Sequence, residues 1–297
     1  MNRQSVRTHF RRVGIVVSTM WSRGTGRFSL IVLGLWVLVS LVSLFWTPRS
    51  LWQTDGYNVW AKPSREHWLG HLPRNGIGAD VLSWLMAGSR TNLAIVVLTV
   101  CFALAFGLLL VSLMVSHSTL LANGTVVAID ALISIPTVLI ALMLAVPLGA
   151  SILGIVLACG FGYGLNLARV ARPQAMLSAR SLYVESALSN GASAARVFFT
   201  HVLTNIRPVV TVQCSLAAGT AVLAETGLTY LGVGVPSGVP SWGYSLASSV
   251  KFITIYPLTV VWPGLIVTVV VMALNLFGDA LHDAADPLSN PRLRRVS

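Results

Sequence analysis

Residues 92–115 read NLAIVVLTVCFALAFGLLLVSLMV, a stretch without one charged side chain. The hydrocarbon core of a bilayer is about 30 Å thick, and a helix needs roughly 20 apolar residues to cross it. In lipid, a helix pairs every backbone N–H and C=O group within its own segment. The stretch therefore predicts a transmembrane helix, and it indicates the class of the whole protein.

Five further apolar segments lie on both sides of this one along the chain. They are residues 28–46, 125–147, 148–168, 208–229 and 257–278. The third and fourth spans in chain order are separated only by a turn near Pro147 and Gly149, which predicts a tight helical hairpin. Charged residues make up 10% of the chain, whereas soluble domains have about 25%. We therefore predict an all-α, polytopic membrane protein with six transmembrane helices.

The placement of the basic residues predicts the orientation of the chain. Basic residues outnumber acidic ones by 20 to 9, and most of them precede the first span, separate the fourth from the fifth, or follow the sixth. The arginines of these three regions are Arg3, Arg7, Arg11, Arg12, Arg23, Arg27, Arg169, Arg172, Arg180, Arg196, Arg207, Arg292, Arg294 and Arg295. With six spans all three regions fall on one side, which the positive-inside rule makes cytoplasmic. The prediction is an N-in, C-in protein of a bacterial-type inner (plasma) membrane, whose basic charge requires no nucleic-acid partner.

These assignments divide the chain into five parts. They are a basic cytoplasmic N-terminus (1–27), the first transmembrane helix (28–46), an extracytoplasmic loop (47–91), a transmembrane core (92–281) and a cytoplasmic tail (282–297). The core contains one long cytoplasmic loop, at about 181–205, between the fourth and fifth spans.

This cytoplasmic loop contains the stretch ESALSNGASAARVFF (185–199). Residues 181–189 have the pattern of a short helix, and Gly191 suits the left-handed backbone that often ends one. Ser193 is a suitable N-cap for a second helix. Periodicity alone leaves open whether the two short helices form an ordinary structured loop or a protruding surface for a partner protein.

The loop resembles the EAA loop of bacterial ABC importer permeases, in which Glu-Ala-Ala is followed by a glycine. Glu185, Ala187 and Gly191 hold these places, and Ser186 replaces the first alanine. Other stretches are similar to the dipeptide/oligopeptide permease family, which is of the type I importer class: HWLGHLPRNGIGADVLSWLMAGSRTNL (67–93), HVLTN (201–205), AETGLTYLGVGVPSGVPSWG (224–243) and NLFGDALHDAADP (275–287). Thr204 stands where the family usually has proline. His71 and Ala79 replace an acidic residue and an arginine, so the family's charge pairing there is open.

The resemblance implies one half of the membrane channel of a peptide-type ABC importer. The implied partners are a homologous second permease subunit, two cytoplasmic ATPase subunits, an extracytoplasmic substrate-binding protein and the lipid bilayer. The residues implied in ATPase coupling are Glu185, Ser186, Ala187, Asn190, Gly191, Ala192 and Ser193. The sequence contains no GxxxxGK[ST] phosphate-binding loop, so we expect no cofactor in this chain, with ATP and Mg bound by the partner ATPases. Peptides are the expected solutes on family grounds, and nickel or another small solute stays open.

Asp130 and Glu225 are the ionisable residues that lie well inside the predicted spans. A charge at mid-bilayer is costly, so both are expected to face protein or water. They could form a proton or cation path, which would make the chain an ion-coupled secondary transporter, or be hydrogen-bonded structural groups, the interpretation we favour. Pro136 is expected to kink the third span. The histidines and cysteines have no metal-ligand spacing, so no metal site is expected.

Overall fold

The computed structural model describes residues 14–51, 62–65, 67–74, 77–116 and 118–285. Its elements are α1 (helical residues 14–22), α2 (Gly24–Phe45), β1 (His71–Arg74), β2 (Ile77–Asp80), α3 (Val81–Met114), α4 (Thr119–Ile133), α5 (Thr137–Leu148), α6 (Ile152–Ala179), α7 (Leu182–Ser189), α8 (Ala194–Val197), a π-helical turn (Phe198–Val202), α9 (Leu203–Tyr230), α10 (Trp242–Val250) and α11 (Leu258–Ala285). The basic segments expected at both ends lie partly outside these residues, at 1–13 and 286–297.

The prediction of a polytopic helical membrane protein is confirmed. Among the described residues, five helical segments are long and apolar enough to cross a membrane: α2, α3, α6, the continuous segment Ala194–Tyr230, and α11. The bent pair α4 and α5 makes a sixth span if the two helices are counted together. The side of the membrane on which each end lies stays a prediction.

The spans extend beyond the uncharged segments that predict them. Helix α3 starts at Val81, well before residue 92, because Asp80 caps it: the Ser83 backbone N–H donates to the Asp80 carboxylate at 2.9 Å. Helix α6 likewise continues past residue 168 to Ala179, through Arg169 and Arg172. Hydrophobicity marks the part of a helix that lies in lipid, whereas capping residues mark where the helix ends.

The third span is a broken helix rather than a kinked one. Helices α4 and α5 meet at an angle of 85°, and the break lies at Pro136, which precedes α5. The predicted single helix over 125–147 is therefore wrong in its continuity, since proline lacks the N–H that would continue the ladder of α4. After α5 the chain turns at Gly149, whose φ is +65°, into α6. The predicted hairpin is thus confirmed, between α5 and α6.

A short β-hairpin precedes α3, and it is the one sheet among the residues that the structure describes. Strands β1 and β2 are antiparallel and place His71 opposite Asp80. The His67 Nδ1 atom lies 3.0 Å from Asp80 Oδ1, and the His67 and His71 rings are 4.1 Å apart. The two imidazole rings therefore pack against each other, and His67 also contacts the carboxylate that caps α3.

Helix α3 is central to the packing of the spans. Its closest approach is to α6, where Gly107 and Gly164 allow the two backbones to meet: a Cβ atom on Gly164 would lie 3.0 Å from the Ala103 carbonyl oxygen. Gly160 packs in the same way against Phe102. Small residues at such crossings let membrane helices pack by dispersion forces, which replace the hydrophobic effect in lipid.

Candidate coupling site

Helix α7 is a short helix on the surface of the chain. Only Val184 of its residues is buried, whereas Glu185 and Ser186 are exposed and Ala187 is half-buried. Glu185 lies in the first turn, where a carboxylate interacts favourably with the positive end of the helix dipole. The prediction of a helix over 181–189 is confirmed, and Glu185 and Ser186, within the stretch that carries the family resemblance, lie on its exposed face.

A glycine ends α7 with a tight turn. Gly191 has φ of +84°, its N–H donates to Leu188 O at 2.9 Å, and the Ala192 N–H donates to Ala187 O at 3.1 Å. These two bonds form a Schellman motif, which requires left-handed backbone at the glycine. Asn190 adds a side-chain bond to Ser186 O at 2.8 Å. The predicted role of Gly191 as the helix terminator is therefore confirmed.

The second helix of the loop is continuous with the fifth span. Ser193 caps α8 through its Oγ, which accepts from Arg196 N at 3.3 Å. From Ala194 the chain stays helical to Tyr230, passing through the π-helical turn at Phe198–Val202. The sequence predicts a separate short helix here, and the structure instead shows one helical body that runs from the loop into the membrane-spanning region.

A polar cluster joins α7 to both neighbouring spans. The Asn205 amide nitrogen lies within hydrogen-bond distance of Ser178 Oγ (2.9 Å), Tyr183 Oη (2.7 Å) and His201 O (3.1 Å). From the end of α6, the Gln174 amide donates to Asn205 O at 3.0 Å. The hydrogen bond with Ser178 lowers the pKa of Tyr183 from its usual value. One asparagine at the start of α9 thus links α6, α7 and α9.

Sequence reasoning does not identify this cluster. HVLTN (201–205) contributes His201 and Asn205, and the sequence shows it only as a family resemblance without a physical role. Ser178 and Tyr183 carry no motif, and their distance from Asn205 along the chain hides the contact. The amide side chain of Asn205 is the signal from which these contacts could have been predicted, because a polar side chain near the start of a span needs hydrogen-bond partners.

Exposed apolar side chains lie on α7 and on the helical segments that precede and follow it along the chain. Leu182 is 83% exposed, Leu177 77% and Phe199 62%. Apolar side chains grouped around a capped polar helix are typical of a protein-binding surface, whereas scattered ones need no explanation. Behind this surface, a cavity of about 860 Å³ separates α7 and α8 from the end of α3 and the start of α4.

The two predicted membrane carboxylates have different surroundings. Glu225 is fully buried; Asn92 donates to Oε2 at 3.3 Å and Thr229 to Oε1 at 3.1 Å. A Cβ atom on Gly243 would come within 2.8 Å of Glu225 Oε1, so the start of α10 packs directly on the carboxylate. Glu225 therefore joins α3, α9 and α10, which supports the structural interpretation. Asp130, by contrast, is exposed on α4, and no described basic residue forms a salt bridge with it.

Comparison with protein families matches residues 103–290 to a family described as the binding-protein-dependent transport system inner membrane component. Among curated proteins, the chain is 35% identical over 240 residues to the probable peptide ABC transporter permease protein y4tQ of Sinorhizobium fredii, covering 80% of each chain. It is 29% identical to the nickel transport system permease protein NikC of Escherichia coli K12, covering 90% of this chain and 95% of that one. The dipeptide transport system permease protein DppC of Alkalihalophilus pseudofirmus is also 29% identical, with 87% and 84% covered.

Proposed function

Since the chain belongs to the family of binding-protein-dependent transport system inner membrane components, we propose that it receives the force of ATP hydrolysis at α7, Gly191 and α8. The family consists of membrane permease subunits of ABC importers, so this chain is such a permease and not the ATPase. The finer claim, which we propose, is that the exposed face of α7 is the surface on which a separate cytoplasmic ATPase docks.

The observation that carries this proposal is the connection of α7 to two spans at once. Asn205 ties α7 to α6 and α9 through Ser178 and Tyr183, and α8 runs without interruption into α9. Helices move as stiff bodies when one end is displaced. A push on α7 would therefore rotate α6 and α9 rather than deform a loop.

The family also implies the remaining parts of the machine. A permease of an ABC importer works with an ATPase and a substrate-binding protein in a membrane. We propose the full set as a second homologous permease, two ATPase subunits that bind ATP and Mg, and an extracytoplasmic binding protein. The absence of a GxxxxGK[ST] loop from the sequence agrees with this division of labour.

We propose a small peptide as the solute. Relatives are named as permeases for peptides, dipeptides, oligopeptides and nickel. Peptide names are the more frequent among them, and nickel is the alternative. An ion-coupled secondary carrier is not favoured, because Glu225 is enclosed in a hydrogen-bonded junction of three helices.

The experiment is a coupling assay on the reconstituted transporter. Gly191→Pro cannot adopt φ of +84° and loses the N–H that bonds Leu188 O, so it should distort the docking surface. Glu185→Lys reverses the exposed charge in the same helix. We expect both variants to insert and to hydrolyse ATP with little import of a labelled dipeptide. Wild-type import in both would contradict the proposal.

A matched control lies at the other end of α9. Gly232 has φ of +79°, and the Gly232 and Val233 N–H groups donate to Thr229 O and Leu228 O, which is again a Schellman motif. Gly232→Pro therefore imposes the same local strain far from α7. The number of ATP molecules hydrolysed per solute imported should rise for Gly191→Pro and stay near the wild-type value for Gly232→Pro.

A further inference from the structure

The break between α4 and α5 lies beside the middle of the uncharged part of α6. Helix α5 runs antiparallel to the first half of α6, because Thr137 packs on the backbone of Gly162: a Cβ atom there would lie 2.9 Å from Thr137 Oγ1. Gly162 is ten residues after the start of α6 at Ile152, which is about 15 Å, or half of the roughly 30 Å hydrocarbon core. The first charged residue of α6, Arg169, lies on the other side of Gly162.

Asp130 lies at the same depth as this break. It is three residues from Ile133, the last residue of α4, so it lies about 4.5 Å along the helix axis from the break, whichever way α4 points. Its side chain is exposed, and so are Ser134 and Pro136 at the break itself. A carboxylate and an interrupted backbone are both excluded from contact with lipid tails. Two independent features therefore require that this face meets water or protein.

Two other polar residues lie on the same face of α4 as Asp130. Asn123, seven residues earlier, and Ser134, four residues later, share the direction of the Asp130 side chain and are exposed as well. Asn123 also lines the cavity of about 860 Å³ that α7 and α8 border. Asn123, Asp130 and Ser134 thus lie along one face between the break and the cavity beside the candidate coupling site, with the apolar Val126 and Val127 between Asn123 and Asp130.

The local electrostatics of this point favour cations. Asp130 lies in the last turn of α4, where the carbonyl groups of a helix end carry a partial negative charge. The carboxylate adds to that charge, and no described basic residue forms a salt bridge with it. Carboxyl ends of interrupted membrane helices are the ends that interact with cations in transporters.

We infer that Asp130 and the carboxyl end of α4 form a recognition point on the solute path for a positively charged group of the solute. Such a group is an ammonium, as at the N-terminus of a peptide, or a divalent metal cation. This inference rests on the proposed function, since it assumes that the chain lines an import path. It also assigns the two membrane carboxylates different roles: Glu225 joins helices, and Asp130 selects solutes.

The first test measures water access and charge at the break in the assembled transporter. Cys101, Cys159 and Cys214 are replaced, and Ser134→Cys is treated with a cationic (trimethylammonium) and an anionic (sulfonate) methanethiosulfonate. Leu35→Cys, in the middle of the uncharged part of α2, is the control at a position expected to face lipid. We expect Ser134→Cys to react at least tenfold faster than Leu35→Cys and to prefer the cationic reagent. Asp130→Asn should lower the ratio of cationic to anionic rates by roughly tenfold.

Two labelling results would overturn the inference. One is a rate at Ser134→Cys as slow as at Leu35→Cys, which would place this face in lipid or in a dry interface with the second permease. The other is an unchanged rate ratio in Asp130→Asn. The labelling assay does not depend on ATP. If an ATPase copurifies with the chain but labelling fails, the inference about Asp130 is wrong and the proposed function is unaffected.

The second test identifies the cation. Uptake of radiolabelled Ni²⁺ and of labelled dialanine is measured in cells that contain the complete transporter, with Asp130→Asn and Asp130→Glu. If Asp130 recognises an ammonium group, we expect dialanine uptake to fall at least tenfold in Asp130→Asn and to recover in Asp130→Glu. If it recognises a metal ion, we expect the same two results for Ni²⁺ uptake. Unchanged uptake of both solutes in Asp130→Asn would contradict the inference.

Discussion

Asn205 is the residue on which the mechanical interpretation depends most. Its amide nitrogen lies 2.9 Å from Ser178 Oγ and 2.7 Å from Tyr183 Oη, so a single side chain holds the end of α6 and the start of α7 against α9. Two of its contacts are with side chains on other helices. Neighbouring Thr204 differs in this respect, because among the described residues its hydroxyl donates to Thr200 O, within the same helical segment.

Replacing Asn205 should weaken coupling without preventing assembly. Asn205→Ala removes the hydrogen bonds that link the three helices. If this raises the free-energy barrier of the transport step by about 1.4 kcal/mol, the rate falls tenfold. We therefore expect uptake to fall roughly tenfold while the rate of ATP hydrolysis stays near the wild-type value. Thr204→Ala is the control and should transport normally. The measurement is ATP hydrolysed per solute imported in proteoliposomes, and equal ratios for the two variants would contradict the role of Asn205.

Glu225 should matter for stability rather than for energy supply. Glu225→Ala leaves the donors of Asn92 and Thr229 unpaired in a buried site, at a cost of about 1–3 kcal/mol for each group. Glu225→Gln keeps the shape, and its amide can donate to Asn92 Oδ1, a buried oxygen with no hydrogen-bond partner among the described residues. We expect a clearly lower thermal unfolding midpoint for the alanine variant and near-normal uptake for the glutamine variant. Uptake that is abolished by Glu225→Gln would instead support an ion-coupled carrier.

At the scale of helices, α3 and α6 form the rigid part of the chain. A side chain on Gly164 would collide with Phe106 Cδ1 at 2.8 Å and with the Ala103 carbonyl oxygen. Overpacking of this kind costs about 1–3 kcal/mol. We therefore expect Gly164→Leu to lower the thermal unfolding midpoint of the purified subunit, whereas Gly34→Leu, at a position of α2 with open space around it, leaves it unchanged. Equal midpoints would show that the helices can separate at low cost.

The sequence predicts the elements better than their continuity. Uncharged segments predict where the chain crosses lipid, and Gly191 and Ser193 predict the turn between α7 and α8, because both signals are local. The 85° break at Pro136 and the fusion of α8 with α9 are not predicted. A proline is compatible with a slight kink as well as with a full break of a helix. Which of the two forms depends on the packing of the residues around the proline, and here Thr137 packs on Gly162. The π-helical turn has only five residues, which is too short for a hydrophobic periodicity that would predict it.

The candidate site shows the same limit. The exposed residues Glu185, Ser186 and Asn190 are found from the motif, because they lie next to one another along the chain. The contacts that we propose transmit motion join Gln174, Ser178 and Tyr183 to Asn205, and these contacts depend on how three helices meet. Likewise, a sequence shows two carboxylates in predicted spans, and only the packing separates the enclosed Glu225 from the exposed Asp130.

At the scale of the whole molecule, the contacts described above fall into two clusters at opposite ends of the spans. One cluster, at the end predicted to be the outer end, is organised around Glu225, α10 and the hairpin before α3, and the other around α7, Gly191 and Asn205. The positive-inside rule predicts that the α7 end faces the cytoplasm. Only that orientation lets a cytoplasmic ATPase reach α7 while a binding protein reaches the outer end.

Site-specific photo-crosslinking in living cells tests this account most directly. A photoreactive amino acid is placed at Asn190, which is exposed beside Gly191, and at Tyr230, which is exposed at the far end of α9. We predict a crosslinked product between position 190 and the ATPase subunit of the same transporter, and none from position 230. A transporter that assembles and imports solute while position 190 gives no ATPase product, or while position 230 gives one, would contradict the docking of the ATPase on α7.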